Sequence, residues 1–220
     1  MKKAKNNKYT VFFDFDNTIT TRDVFDSMLI RFAKDDSWVD LEKKWNRGEI
    51  GSLECLRGQV NLMRATKRQL ERYLDTVKVD PYFKKVVKLL EANGAKVIIL
   101  SDNFDYILDY IIKKNKLPDL KIYANRMKIK KDRLIPSFPY AEHSCGKCAH
   151  CKKTNLLSQV EKGSKTVYVG DGLSDICAST NVDIVFAKSY LKKHFKDNKI
   201  AHVPFDNLKG VYDYFKKRLK

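Results

Sequence analysis

Asp14 and Asp16 close an apolar run in Val11-Phe12-Phe13-Asp14-Phe15-Asp16-Asn17-Thr18. Residues two apart share one face of an extended segment, so this D-x-D-x-T sets two carboxylates side by side. Like charges that close resist joint ionisation unless a cation or a shared proton relieves them. A buried strand ending in such a pair suits a metal-assisted reaction better than a structural role.

Two more segments end in the same manner. Val97-Ile98-Ile99-Leu100 runs into Ser101-Asp102-Asn103, and Thr166 to Val169 runs into Gly170-Asp171-Gly172-Leu173-Ser174-Asp175. Ligands of open parallel sheets bind beyond the carboxyl ends of the strands, so the three motifs are expected to meet. Asp14, Asp16 and Asp171 would repel one another there without a cation, and hard oxygen donors of this kind suit Mg²⁺. Taken singly, each motif is an ordinary turn or helix cap; the chemical reading rests on their order and their shared place at strand ends.

The elements that must position these groups follow from periodicity. Tyr9 to Phe13 predicts a buried strand, as do Lys96 to Leu100, Leu120 to Tyr123, Thr166 to Val169 and Ile184 to Phe186. Met127 to Phe138 predicts a hairpin turning near Lys131-Asp132. Between the first two strands the period becomes helical. Val24, Met28, Leu29 and Phe32 suit one helix, and Trp38, Leu41 and Trp45 another. Ser52 is a candidate cap for a third helix, and Thr66 with Gln69 forms a capping box for a fourth. Asp80-Pro81 predicts the next helix start and Asn93-Gly94 its end. Residues 153–161 read as helical, and one more helix runs through Leu208, Val211, Tyr212 and Phe215. Strands alternating with helices predict an α/β fold with a doubly wound parallel sheet. Residues 21–79 hold helices without strands and predict a helical insertion, leaving residues 1–20 and 80–220 as the core.

The chain of 220 residues has room for one sizeable core with such an insertion, and 43% apolar with 11% aromatic residues describes a globular protein. No apolar stretch approaches the roughly 20 residues of a membrane span. The basic start, Met1 to Lys8, lacks an apolar signal core, so a cytoplasmic protein is expected. The net charge of +17 raises a nucleic-acid partner. Yet the 34 Lys and 10 Arg are scattered as doublets, not gathered with stacking aromatics on one segment. The alternative reading is a Lys-rich composition together with attraction of an anionic substrate, and on it nucleic acid is not an expected partner. Nothing in the sequence sets an oligomeric state.

In this order, the D-x-D-x-T, the strand-end Ser, a downstream Lys and the G-D-G-x-x-D resemble the motifs of a haloacid dehalogenase superfamily phosphatase. The helical insertion resembles the C1 cap of its phosphoserine phosphatase-like group. His143-Ser144-Cys145…Cys148…Cys151-Lys152 narrows the likeness to phosphoethanolamine/phosphocholine phosphatases and methionine-salvage phosphatases. Phe186 to Leu191 and His202-Val203-Pro204-Phe205 are similar to the latter. The resemblance covers nearly the whole chain. It implies a Rossmann-like core and an Mg²⁺-dependent hydrolysis of a small-molecule phosphomonoester. Asp14 would be the nucleophile and Asp16 the general acid and then base. Thr18 would help hold the loop and its reactants. Mg²⁺ would lie between the Asp14 carboxylate, the Asp16 backbone carbonyl and the Asp171 carboxylate, with Asp175 supporting that shell. Ser101 would donate to the phosphoryl oxygens. Lys152, chosen over Lys147 and Lys153 by the resemblance, would neutralise their charge.

Three readings stay open on sequence. Asp23 and Asp26 could meet a substrate amine, as an acidic residue of this region does in phosphoserine and phosphoethanolamine enzymes; equally, Asp23 could cap a helix. Arg22, Arg57 and Arg64 could instead greet a carboxylate. Asn103 is a further substrate-binding candidate, because Ser101-Asp102-Asn103 replaces the Ser-Gly-Gly of the phosphoserine and methionine-salvage enzymes. The H-x-C-x₂-C-x₂-C of His143, Cys145, Cys148 and Cys151 could supply a structural Zn²⁺ site, or its thiols could pack beneath Lys152 without metal. The other functional classes are a phosphotransferase or mutase on the same fold, and a non-catalytic basic protein binding nucleic acid.

Overall fold

A computed structural model describes residues 9–141 and 146–219. In chain order it has β1 (Tyr9–Phe13), α1 (Val24–Phe32), α2 (Ser37–Asn46), α3 (Ser52–Leu62), α4 (Lys67–Leu74) and α5 (Phe83–Ala92). Then come β2 (Lys96–Phe104), α6 (Asp105–Lys114), β3 (Lys121–Lys130), β4 (Arg133–Ser137) and α7 (Lys152–Gln159). The chain closes with β5 (Lys165–Gly170), a 3₁₀ turn (Leu173–Asp175), α8 (Ile176–Ser179), β6 (Ile184–Ala187), α9 (Ser189–Asp197), β7 (Val203–Pro204) and α10 (Leu208–Arg218).

Among the described residues the strands form one sheet in the order β4-β3-β2-β1-β5-β6-β7. All neighbours pair in parallel except β3 with β4. β1 therefore sits between β2 and β5, the two strands that carry the other motifs. Alternation along β1 divides the core. Tyr9, Val11 and Phe13 pack with the apolar faces of α5 and α10. Phe12 turns the other way, onto Ile98, Leu100, Tyr168, Leu156 of α7 and Ala178 of α8. Burial on both faces explains why β1 and β5 read as unbroken apolar runs.

Helices α1 to α4 fill the interval between β1 and α5. Its two ends meet at an antiparallel Thr20–Val79 bridge, beside an Asp80 N–H bond to the Ile19 carbonyl of 2.8 Å. The Thr66–Gln69 capping box opens α4 as expected. Two other expected caps differ. Gly51 is the N-cap of α3, while Ser52 Oγ accepts the Ala149 N–H at 2.8 Å. Asp80 precedes α5, whose N-cap is Tyr82. Its carboxylate accepts the Tyr82 N–H at 2.8 Å and the Leu208 N–H at 2.9 Å, so it ties two helix starts together.

The predicted strands at 120–123 and 127 onward are one strand, β3, whose hairpin turns at Lys131 with φ 57°. The helix α9, which buries Leu191 and Phe195 at i, i+4 spacing, and the short β7 were not predicted and are additions from the structure. Among the described residues no helix is long and apolar enough to cross a membrane.

Candidate active site

Asp14 is the first residue beyond β1 and hangs from β5 through its N–H bond to the Val169 carbonyl, 2.9 Å. The chain then coils tightly. The N–H groups of Ile19 and Thr20 both return to the Phe15 carbonyl. Asn17 takes a left-handed φ of 49°, which asparagine tolerates better than most residues. This twist sends Asn17 Nδ2 to Asp171 Oδ2 at 2.6 Å and joins the first motif to the third. Thr18 Oγ1 lies 3.5 Å from Asp171 Oδ1.

Asp16 accepts the Val24 N–H at 2.9 Å, so the loop of the first motif and the start of α1 share a carboxylate. Asn103 Nδ2 adds bonds to both Asp16 oxygens, at 3.1 and 3.0 Å. Asn103 Oδ1 accepts the Phe104 N–H, and its own N–H reaches Ser101 Oγ at 3.1 Å. The register of β2 against β3 shifts between Leu100 and Phe104, which frees the second motif from ladder pairing.

In the third motif, Asp175 Oδ2 accepts the N–H groups of Asp171 and Gly172 at 2.9 and 3.0 Å. A Cβ at Gly170 would stand 2.5 Å from that oxygen, so a side chain there would break the loop. Asp175 Oδ1 accepts the Tyr168 hydroxyl at 2.6 Å and Lys152 Nζ at 2.7 Å. Lys152 Nζ also lies 2.6 Å from Asp14 Oδ1. Lys152, Asp14 and Asp175 are all buried. Asp14, Asp171 and Asp175 each bring a carboxylate oxygen within 4.8 Å of the others.

The electrostatics match this crowding. Burial, then the Asp175 charge, pushes Asp14 well above the usual carboxylate range, against the pull of Lys152. Burial and then Asp175 raise Asp171 to about 6. Burial and then Asp23 raise Asp16 to about 7. Burial opposes the charge on Lys152, but Asp14 and Asp175 outweigh it and keep the ammonium protonated.

All three motifs border one cavity of about 140 Å³. Its far wall comes from the helical segment: Asp23, Phe25 and Asp26 of the α1 region, Glu42 and Trp45 of α2, and Leu56 and Gln59 of α3. Asp23 fulfils one of its two expectations outright, capping α1 through the Asp26 N–H at 2.8 Å, and it faces the cavity as well. Burial, then the Asp26 charge, raises Asp23 to about 7, and burial, then the Glu42 charge, raises Asp26 to about 7. None of the three candidate arginines borders this cavity. Arg22 bonds Thr76, Arg57 covers the Phe138 ring, and Arg64 bonds the Asn61 and Met63 carbonyls.

Glu42, Asn17, Tyr168, His150 and Asn155 were not found by sequence reasoning. Each lies outside the motifs, or inside one without a recognised role, and only folding brings it to the site. Of the four residues weighed for zinc, His143 and Cys145 lie outside the described residues. Cys151 Sγ lies 3.1 Å from Thr154 Oγ1 at the start of α7.

Comparison with known proteins agrees with this geometry. The Putative Phosphatase family model matches residues 9–200. A 2-hydroxy-3-keto-5-methylthiopentenyl-1-phosphate phosphatase of Bacillus cereus is 24% identical, over 96% of this chain and 97% of that protein. One from Brevibacillus brevis is 25% identical, over 93% of each. A structure of a phospho-aspartyl intermediate analogue of phosphoserine phosphatase superposes with a TM-score of 0.72 at 21% identity, covering 96% of this chain and 99% of that one. A substrate-bound phosphoserine phosphatase gives 0.71 at the same identity and coverage. With the motifs assembled on the expected sheet, the chain belongs to the Putative Phosphatase family and is a phosphoric monoester hydrolase of the haloacid dehalogenase superfamily.

Proposed function

We propose that this phosphatase hydrolyses a small phosphomonoester that carries a cationic amine. The acidic wall of the cavity supports this reading above all. Asp23, Asp26 and Glu42 face the space opposite Asp14, and Lys152 is the only cationic side chain among the described residues lining it. Asp102 Oδ1 is buried without a hydrogen-bond partner on the same lining. An ammonium group would relieve this repulsion; a second carboxylate or phosphate would add to it. The volume suits a small molecule, and α1 to α4 act as a cap that excludes phosphoproteins.

In this reading Asp14 attacks phosphorus and the bond to the leaving oxygen breaks, giving an aspartyl phosphate. Asp16 gives that oxygen its proton. Asp16 then takes a proton from water as the water attacks phosphorus, releasing inorganic phosphate and restoring Asp14. Asn103 and the Val24 N–H orient Asp16 for both transfers. Lys152 and the Ser101 hydroxyl meet the phosphoryl oxygens, whose spread charge makes positioning and electrostatics the main source of rate.

The close carboxylates fit Mg²⁺, which Asp14, Asp171 and the Asp16 carbonyl would hold, with Asp175 bracing the loop. When bound, the ion neutralises charge on the transferring group. Zinc in the His143, Cys145, Cys148 and Cys151 loop is a separate structural proposal, checked by metal content of chelator-free protein.

The test is a screen of phosphorylated metabolites with and without Mg²⁺. Phosphoethanolamine, phosphocholine and phosphoserine should exceed glycerol phosphate in kcat/KM, and Asp14→Asn should abolish turnover in a folded protein. Preference for an anionic substrate, or for the neutral methylthiopentenyl phosphate of the bacterial relatives, overturns the amine assignment.

A further inference from the structure

We infer that His150 is a positioning residue that sets Lys152 against Ser101. The inference rests on reading those two as the groups that meet the phosphoryl oxygens. His150 Nδ1 lies 2.8 Å from the Ser101 carbonyl, and Nε2 lies 2.7 Å from Asn155 Nδ2. The partners fix the tautomer. A carbonyl only accepts, so Nδ1 carries the hydrogen; an amide nitrogen only donates, so Nε2 accepts. Burial holds the ring neutral.

Each bond has a purpose in the geometry. The Ser101 carbonyl is at the interrupted part of β2, where ladder pairing with β3 has lapsed. Buried there, it needs a donor, and the imidazole supplies one. Asn155 lies three residues after Lys152, on the same face of α7. The Lys152 N–H in turn donates to the His150 carbonyl at 2.9 Å. His150 thus ties the second motif to both ends of the first turn of the lysine-bearing helix, through its ring at Ser101 and Asn155 and through its own carbonyl at Lys152.

The ring is itself immobilised. His150 is 2% exposed and Tyr140 packs on it with centroids 5.1 Å apart. The preceding residues are fastened to the helical cap, through Ala149 N–H to Ser52 Oγ at 2.8 Å and Leu53 N–H to the Lys147 carbonyl at 3.1 Å. The Lys152 segment is therefore held between the cap and the end of β2.

Two variants test this. His150→Phe keeps the ring and loses both bonds. His150→Asn can keep the donor toward Ser101 but leaves a void against Tyr140, so it should be the less stable of the two. The expected result is a 10- to 100-fold fall in kcat for His150→Phe, with His150→Asn the less stable yet more active variant. Activities that follow the melting temperatures instead, or an unchanged kcat in His150→Phe, overturn the proposal while leaving the phosphatase reading intact. Long-range ¹H–¹⁵N spectra of the wild-type protein give a readout that needs no turnover. They should show His150 as the neutral Nδ1–H form, and an Nε2–H or charged ring at neutral pH also overturns it. A wild type that hydrolyses no phosphomonoester, with the expected tautomer present, instead sinks the functional reading.

Discussion

Asn103 turns its side-chain amide onto both carboxylate oxygens of Asp16, 3.1 and 3.0 Å away. The second motif thereby orients the proposed acid of the first. Asp16→Asn should slow alkyl phosphates by about 10²- to 10⁴-fold, and p-nitrophenyl phosphate much less, because its leaving group needs little protonation. Asn103→Ala should reproduce that selectivity at about tenfold, through a loosened Asp16. Comparing kcat/KM for the two substrate types checks both; equal losses on both would contradict the role of Asp16.

The acidic wall makes a separable prediction. Asp26→Asn removes one charge and, in contrast to Asp23, disturbs no helix cap. KM for an amine-bearing phosphomonoester should rise about tenfold, the worth of one ion pair in a partly desolvated pocket. Turnover of p-nitrophenyl phosphate should change little. Steady-state kinetics on both substrates would expose a general defect if the losses match.

Lys152 stands between two buried carboxylates. Lys152→Met leaves Asp14 and Asp175 facing each other without their cation. A loss of about 3–5 kcal/mol in urea unfolding is expected from breaking such a buried pair. Asp14→Asn on the Met background should recover part of it by removing one charge, a coupling visible in a double-mutant cycle.

His150 predicts a pH effect on stability. Burial, the leading cause, lowers its pKa from 6.5 to about 3. The unfolded chain binds this proton below pH 6.5 and the native state does not, so the contribution is complete above that value and fades as pH falls toward 3. His150→Phe lacks the contribution. The stability gap between wild type and variant should shrink by about 2–3 kcal/mol from pH 7 to pH 4.5. Urea melts at the two pH values measure it, and a constant gap would refute the buried neutral ring.

Thr66→Ala should cost about 1 kcal/mol by removing one half of the capping box on α4. Thermal melting checks this without reference to catalysis.

The sequence alone determined the parts of this enzyme that are local. Unbroken apolar runs define β1, β2 and β5, because strands buried on both faces need apolar residues at every position. The capping box of α4 and the stop at Asn93-Gly94 were legible because they are backbone chemistry between near neighbours. The three motifs were legible as well, since strand ends of a parallel sheet share one edge. Only the tertiary structure decided who meets whom. Glu42 of α2 joins Asp26 of α1 on one cavity wall, Tyr168 braces Asp175, and His150 reaches Ser101, all through the meeting of separate elements. No periodicity records such contacts, because each depends on how helices seat against the sheet. Asp80 shows the same limit: its type foretold a helix cap, but its second oxygen serves α10, a partner 128 residues away in sequence.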